Sequence, residues 1–306
     1  MIIPNKLKLG DTIGIVAPSN PIIGDNIEEL EKAKKIVEKS GFQVKYAKNI
    51  FSNTNYYSST AQEKAEDINE MFRNKEVKMI WCAKGGNNSN TTFDYLDYEL
   101  IRQNPKIICG YSDITSITNI ITAKTGLVTF SGTNFKTIAT DETDYSYQEA
   151  IKRLVEGSLE LGKEGEKYIT IQEGQAEGEL IGGNLNCLHS LVSGKYHVDF
   201  RGKILFIEDL GMESNPAMES HFIAHMKQNN VFEQIKGLWI GNYEHESNIS
   251  LEQIVMDVLG KDYHFPIIKS NNFGHIETKT VIPIGTKARI DTNKSKKIEL
   301  IEKCVK

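Results

Sequence analysis

Residues 107–130 read IICGYSDITSITNIITAKTGLVTF. Lys106 to Cys109 is a short β-rich run, Asp113 to Lys124 a helical pattern, Gly126 its stop, and Leu127 to Phe130 a return to strand. Strand, helix and strand in that order form the unit from which parallel sheets are built, because a parallel neighbour is reached only by a crossover. Ser112 stands at the first joint. It is either a nucleophile on a strand-to-helix turn or the residue that caps the helix, and both readings place it at one spot.

The same alternation extends outward. Thr12 to Ala17 reads as a buried strand, and residues 26–39 follow with a helical apolar face (Ile27, Leu30, Ala33, Ile36, Val37) stopped by Gly41. Phe42 to Tyr46 is a second strand, and Val77 to Ala83 a third. Between them Ser59 and Gln62 have the spacing of a capping box for a helix running to about Phe72. The pattern predicts an α/β protein whose N-terminal domain, residues 1–140, holds a parallel sheet covered on both faces. Residues 141–178 are polar and weakly periodic and are read as the domain connection. A C-terminal mixed α/β domain, residues 179–306, follows. It is read as Gly182-Gly183-Asn184 with a short helix, strands at Ile204–Ile207 and Leu238–Gly241, helices at Met218–Gln228 and Leu251–Leu259, and a closing hairpin of Lys287–Asp291 with Lys297–Leu300.

The chain has 306 residues, 39% apolar and 25% charged, with a net charge of -5 spread without long runs. That charge gives no basic footprint for nucleic acid or an anionic membrane. No apolar run approaches the roughly 18 residues of a spanning helix, and the N-terminus lacks the layout of a signal peptide. The four cysteines (Cys82, Cys109, Cys187, Cys304) are far apart, with no CxxC pair, and read as thiols in a reducing compartment. A cytoplasmic protein that needs no metal or cofactor is the expectation.

Several residues have chemistry to offer. Ser112 would sit beyond the carboxyl end of a strand, where open α/β sheets bind ligands, with helix-start N–H groups beside it. The nucleophile-elbow pattern asks for glycine two places later and finds Ile114. Gly85-Gly86-Asn87 opens a loop after the third strand that lets backbone approach a ligand, although it is not a nucleotide fingerprint. Glu208, ending the run from Ile204, could orient a histidine or simply end a strand. Of seven histidines, His221 and His225 have helical ligand spacing but lack HExxH, so they read as surface or groove residues. His275 lies in a turn-rich loop. A serine hydrolase and a noncatalytic binding protein both fit these residues.

As a set, the motifs resemble the LD-carboxypeptidase and microcin C immunity family of serine peptidases. The resemblance rests on Gly10-Asp11-Thr12-Ile13-Gly14-Ile15-Val16-Ala17-Pro18-Ser19, Lys84-Gly85-Gly86, Gly110-Tyr111-Ser112-Asp113 and Lys124-Thr125-Gly126-Leu127-Val128-Thr129-Phe130. It continues through Gly182-Gly183-Asn184-Leu185-Asn186, Ile204-Leu205-Phe206-Ile207-Glu208-Asp209, Gly274-His275 and Ile282-Pro283-Ile284-Gly285. It implies Ser112 as nucleophile, His275 as base, Glu208 as its orienter, and the N–H groups of Gly86 and Asp113 as an oxyanion hole. Gly85 and Asn87 would contact substrate, in a cleft between the two domains of a homodimeric enzyme.

Two substrates follow from the resemblance: a muropeptide that loses its terminal D-alanine, or an aminoacyl adenylate. The loop Gly85-Gly86-Asn87-Asn88-Ser89-Asn90 is closer to the immunity branch's GGxNSN than to the carboxypeptidases' RGGYG, and Met212-Glu213-Ser214-Asn215 departs from the common EDVGE form. Against that, microcin hydrolases carry a long tryptophan-bearing loop before GGNLN. Here 140–178 is short and holds none; Trp81 and Trp239 read as core, leaving Tyr196 or Tyr168 as substitutes. The carboxypeptidase reading is preferred.

Overall fold

The computed structural model describes residues 1–163, 165–260 and 262–306. Its first sheet contains β1 (Thr12–Val16), β2 (Gln43–Tyr46), β3 (Val77–Cys82), β4 (Ile107–Gly110) and β5 (Thr129–Ser131), all parallel where they pair. Helices α1 (Asp25–Lys39), α2 (Ala61–Arg73), α3 (Tyr98–Gln103) and α4 (Ile114–Thr125) connect them. The inner strands are buried on both faces, as in the β4 sequence IICG, because helices cover the sheet above and below, whereas the edge strand β2 stays partly exposed.

The second sheet contains β6 (Ile169–Gln172), β7 (Gln175–Asn184), β8 (Ile204–Glu208), β9 (Gly237–Ile240), β10 (Ile267–Lys269), β12 (Lys287–Asp291) and β13 (Ile298–Leu300). β7 to β10 run parallel, and the β12–β13 hairpin and β6 pair antiparallel at the two edges. Helices α6 (Leu185–Leu188), α7 (Pro216–Gln228), α8 (Val231–Gln234) and α9 (Leu251–Leu259) accompany this half, while α5 (Tyr145–Ile151) packs Tyr147 and Ala150 into the core of the first. The halves are interlaced: β11 (Ile282–Ile284), late in the chain, returns to the first sheet and pairs antiparallel with β5.

Local details differ from the expectations. The capping box of α2 uses Thr60 and Glu63, one residue later than Ser59 and Gln62. Both pairs have the right spacing; Ser58 Oγ donates to Ala17 O, which holds the preceding segment against β1 and makes Thr60 the cap. α7 begins at Pro216 under an Asn215 cap, two residues before the expected Met218, since proline suits the first helical turn. Residues 141–178 carry α5, β6 and the start of β7. These elements are short and only partly buried, so they leave little hydrophobic period to read.

The two sheets are latched through α4. Asn119 donates from Nδ2 to Gly182 O at 2.8 Å and accepts from Gly182 N at 3.1 Å. One turn earlier, Thr115 Oγ1 accepts from Asn184 N at 3.0 Å. Gly183 has φ 138°, and a Cβ there would stand 2.4 Å from Thr115 Oγ1, so only glycine lets the helix come this close. Around the latch, Ile114, Ile117 and Ile120 of α4 share one buried cluster with Ile181, Leu185 and Leu188 of the other half.

Replacing Asn119 by Ala strips a buried backbone N–H and C=O of their partners. Each such group costs about 1–3 kcal/mol, so Asn119→Ala should lower the thermal unfolding midpoint by several degrees. An unchanged midpoint in a scanning calorimeter would show that the latch carries no stability.

Candidate active site

Ser112 follows β4 and precedes α4 with φ 65°, a left-handed conformation uncommon for a residue with a side chain. Two neighbours hold the turn. Asn134 Oδ1 accepts from Tyr111 N at 3.1 Å. A Cβ at Gly110 would lie 2.9 Å from the Ile114 side chain. The glycine missing at 114 is thus explained: space at this elbow is made at Gly110, and Ile114 fills it.

His275 lies in the loop between β10 and β11. Gly274, φ 111°, brings that backbone against Glu208, where a Cβ would meet Glu208 Oε2 at 2.8 Å. Glu208 Oε2 then accepts from both His275 N, at 3.1 Å, and His275 Nδ1, at 2.8 Å. With Nδ1 protonated, Nε2 is left to accept from Ser112 Oγ at 3.1 Å. The three residues, 67 and 163 positions apart in sequence, form one hydrogen-bonded line. α5 braces the loop from outside: Ser146 Oγ donates to Glu277 O at 2.9 Å and accepts from Lys279 N at 3.2 Å.

His275 is half-buried, and the charges around it act in opposite directions. Burial pulls the His275 imidazolium down, but the Glu208 charge and hydrogen bond outweigh it and hold the group above its ordinary value. Asp209, next in chain, is raised to about 6 by burial and by the Glu208 charge, despite hydrogen bonds from Asn184, Asn186 and Leu210. Behind it Glu219 is fully buried and pushed up to about 9, by burial and then by Asp209, so it stands protonated at neutral pH. Lys279 lies with Nζ 4.9 Å from the Tyr111 ring centre, and that ring is 5.1 Å from the His275 ring. Burial brings the Lys279 ammonium down to about 8.

On the other side of Ser112 lies the glycine loop. Gly85 packs so closely that a Cβ would stand 2.8 Å from Ser112 Cβ. Gly86, φ 150°, has no room for a side chain, since its Cβ would fall 2.2 Å from Asn20. The Asp113 carboxylate turns back to this loop, its Oδ2 accepting from Asn88 N at 2.9 Å, Ser89 N at 2.8 Å and Ser19 Oγ. Asn87 is exposed on the loop. The backbone N–H groups of Gly86 and Asp113 have no acceptor among the described residues.

Of the residues singled out from sequence, Ser112, Glu208, His275, Gly85, Gly86 and Asp113 converge. His221 and His225 do not; they cluster with His189, whose ring centre is 4.3 Å from that of His225, on the face of α7. Trp81 and Trp239 are core residues, bonded to Thr133 O and Ser270 Oγ. Sequence reading passed over Lys64, Asn134, Glu219 and Lys279. For Lys64 a signal existed: it shares the helical stripe of Ile68 and Met71, a charge on an apolar face.

The chain is similar to known proteins in both halves. Residues 13–132 match the model of the LD-carboxypeptidase N-terminal domain, and residues 177–290 that of the C-terminal domain. The chain is 33% identical over 297 residues to a probable murein peptide carboxypeptidase of Bacillus subtilis, covering 94% of this chain and 91% of that protein. It is 29% identical over 330 residues to the microcin C7 self-immunity protein MccF of Escherichia coli, covering 97% and 94%. Among solved structures, an MccF-like protein from Bacillus anthracis superposes with a TM-score of 0.91 at 31% identity, over 99% of this chain and 100% of that one. MccF in complex with glutamyl sulfamoyl guanosine gives 0.91 at 27% identity, over the full length of both. Matched by family models in both halves and by relatives along nearly its whole length, the chain belongs to the LD-carboxypeptidase family.

Proposed function

We propose that the protein is a serine carboxypeptidase that releases the terminal D-alanine of a muropeptide L,D-tetrapeptide. The observation that carries the reading is the line Ser112 Oγ–His275 Nε2 at 3.1 Å and His275 Nδ1–Glu208 Oε2 at 2.8 Å. His275 takes the Ser112 proton as the hydroxyl attacks the scissile carbonyl. Glu208 stabilises the imidazolium, which then protonates the departing D-alanine amine, and water later releases the acyl group. Gly86 and Asp113 N–H donate to the oxyanion, each worth roughly 3 kcal/mol of barrier. Asn87 and the Gly85 backbone line the substrate's approach. The murein peptide relative and the core positions of both tryptophans support this substrate, and four cysteines without disulfides fit a reducing cytoplasm.

The second reading, cleavage of an aminoacyl adenylate, is favoured by the Gly85–Asn90 loop and by the likeness to MccF bound to an aminoacyl sulfamoyl nucleoside. The two readings separate on incubating purified protein with L,D-tetrapeptide and with an aminoacyl sulfamoyl adenosine, with products read by mass. D-alanine release supports the first and a freed amino acid the second. Retained binding with no product from either would indicate a noncatalytic protein.

Ser112→Ala should abolish turnover while the circular dichroism spectrum and melting curve stay near wild type. Undiminished activity in that variant would refute the serine mechanism.

Catalysis needs neutral His275, whose pKa lies above its ordinary value. Hence kcat/KM should rise with pH through a midpoint above about 6.5, the usual histidine value. In Glu208→Gln the charge that raises His275 is gone while burial stays, so the acid limb should move to lower pH. The same change frees the tautomer and should cut kcat on the order of 10^4-fold. A pH–rate profile with an unmoved limb would show that Glu208 does not govern His275.

A further inference from the structure

Among the buried charged side chains that the catalytic line does not use, one lies beside the glycine loop. Lys64, on α2, is only 2% exposed. Its Nζ donates to Asn88 O at 3.0 Å and to Asn88 Oδ1 at 2.6 Å, and it faces the Tyr57 ring at 5.6 Å. Burying an ammonium whose hydrogen bonds go to neutral oxygens is costly for folding, and an apolar side chain of similar length on this stripe would cost less. What the arrangement does provide is a grip on Asn88.

That grip is one half of a clamp. Asp113 Oδ2 takes the N–H groups of Asn88 and Ser89, and Ser89 Oγ donates to Asp113 O at 2.6 Å. Lys64 takes the Asn88 carbonyl and side chain from the other side. At the near end of the loop, Gly85 O accepts from Asn20 N at 3.3 Å. Gly86, whose N–H is assigned to the oxyanion hole, lies between these anchors, two residues from Asn88. Asp113 supplies the second oxyanion N–H, so the clamp ties both donors to one fixed point. A charge-assisted bond is stronger and shorter than a neutral one and suits this work.

We propose that Lys64 is a positioning residue of the oxyanion hole, acting through Asn88 to hold the Gly86 N–H toward the carbon attacked by Ser112. It touches no substrate, and its loss should affect the transition state more than binding. The proposal rests on the serine-hydrolase reading, and the test separates the two.

The test measures Ser112-dependent labelling by a fluorophosphonate, whose phosphoryl oxygen uses the same hole, and steady-state turnover of the L,D-tetrapeptide. Lys64→Met should slow labelling and lower kcat by about 10- to 100-fold, part of the full value of one oxyanion donor, with KM changed less than about threefold. Asn88→Ala should show the same pattern and Asn88→Asp, which keeps the acceptor oxygen, should retain most activity. The double variant Lys64→Met/Asn88→Ala should lose little more than Lys64→Met alone. If Lys64→Met folds poorly, the Asn88 pair decides by itself: Asn88→Ala as active as Asn88→Asp overturns the proposal. Wild-type labelling that persists in Ser112→Ala refutes the serine-hydrolase reading instead. Loss of labelling in Ser112→Ala, with Lys64→Met at the wild-type kcat and labelling rate, overturns the positioning role alone.

Discussion

The side-chain amide of Asn119 satisfies both polar groups of the Gly182 backbone, and this pair of hydrogen bonds fixes how the two sheets meet. α4 carries Ser112 just before its first turn; β7 lies beside β8, whose last residue is Glu208. Docking one against the other therefore sets the distance between Ser112 and Glu208. A buried amide pair is directional in a way apolar packing is not, since sliding by one residue would leave donors and acceptors unpaired. The apolar surface of Ile114, Ile117 and Ile120 supplies adhesion, and Asn119 and Thr115 supply register.

Charge at the site is arranged in opposing pairs. Glu208 raises His275 by its own charge, while Lys279, above the Tyr111 ring, works in the opposite direction. Asp209 and Glu219 extend the acidic side inward, and they coexist because burial keeps Glu219 protonated. A second unpaired carboxylate there would be expensive. The imidazole thus meets the Glu208 carboxylate directly at its Nδ1, with the Asp209 charge adding from farther away, and the direct bond fixes the tautomer.

Much of the site could be read in the chain because chemistry and local conformation coincide at a few residues. Gly274-His275 and Glu208 each stand at the end of a strand or in a turn-rich loop, where sequence patterns mark side chains free to act. β7 was harder. Its glycines at 178, 182 and 183 lower strand propensity, yet they are there because Gly202 O, Phe206 O and Thr115 press on the backbone. Likewise Ser59–Gln62 and Thr60–Glu63 were equal as caps until Ser58 was fixed to Ala17. Lys64 stands on the apolar stripe of α2, but its partner, Asn88, lies on a separate loop, and no short-range pattern joins the two.

The sequence by itself determined the α/β class, the order of the first five strands along the chain, the turn at Ser112 and the residue types of the site, since each depends on short-range periodicity or on a backbone that only certain residues adopt. The tertiary structure alone decided that Asn119 latches the two sheets through Gly182, that β11 crosses back to the first sheet, and that one lysine is buried against the glycine loop. Those depend on contacts between residues far apart in the chain, where hydrogen-bond geometry and close approach at glycine choose among partners that sequence leaves equivalent.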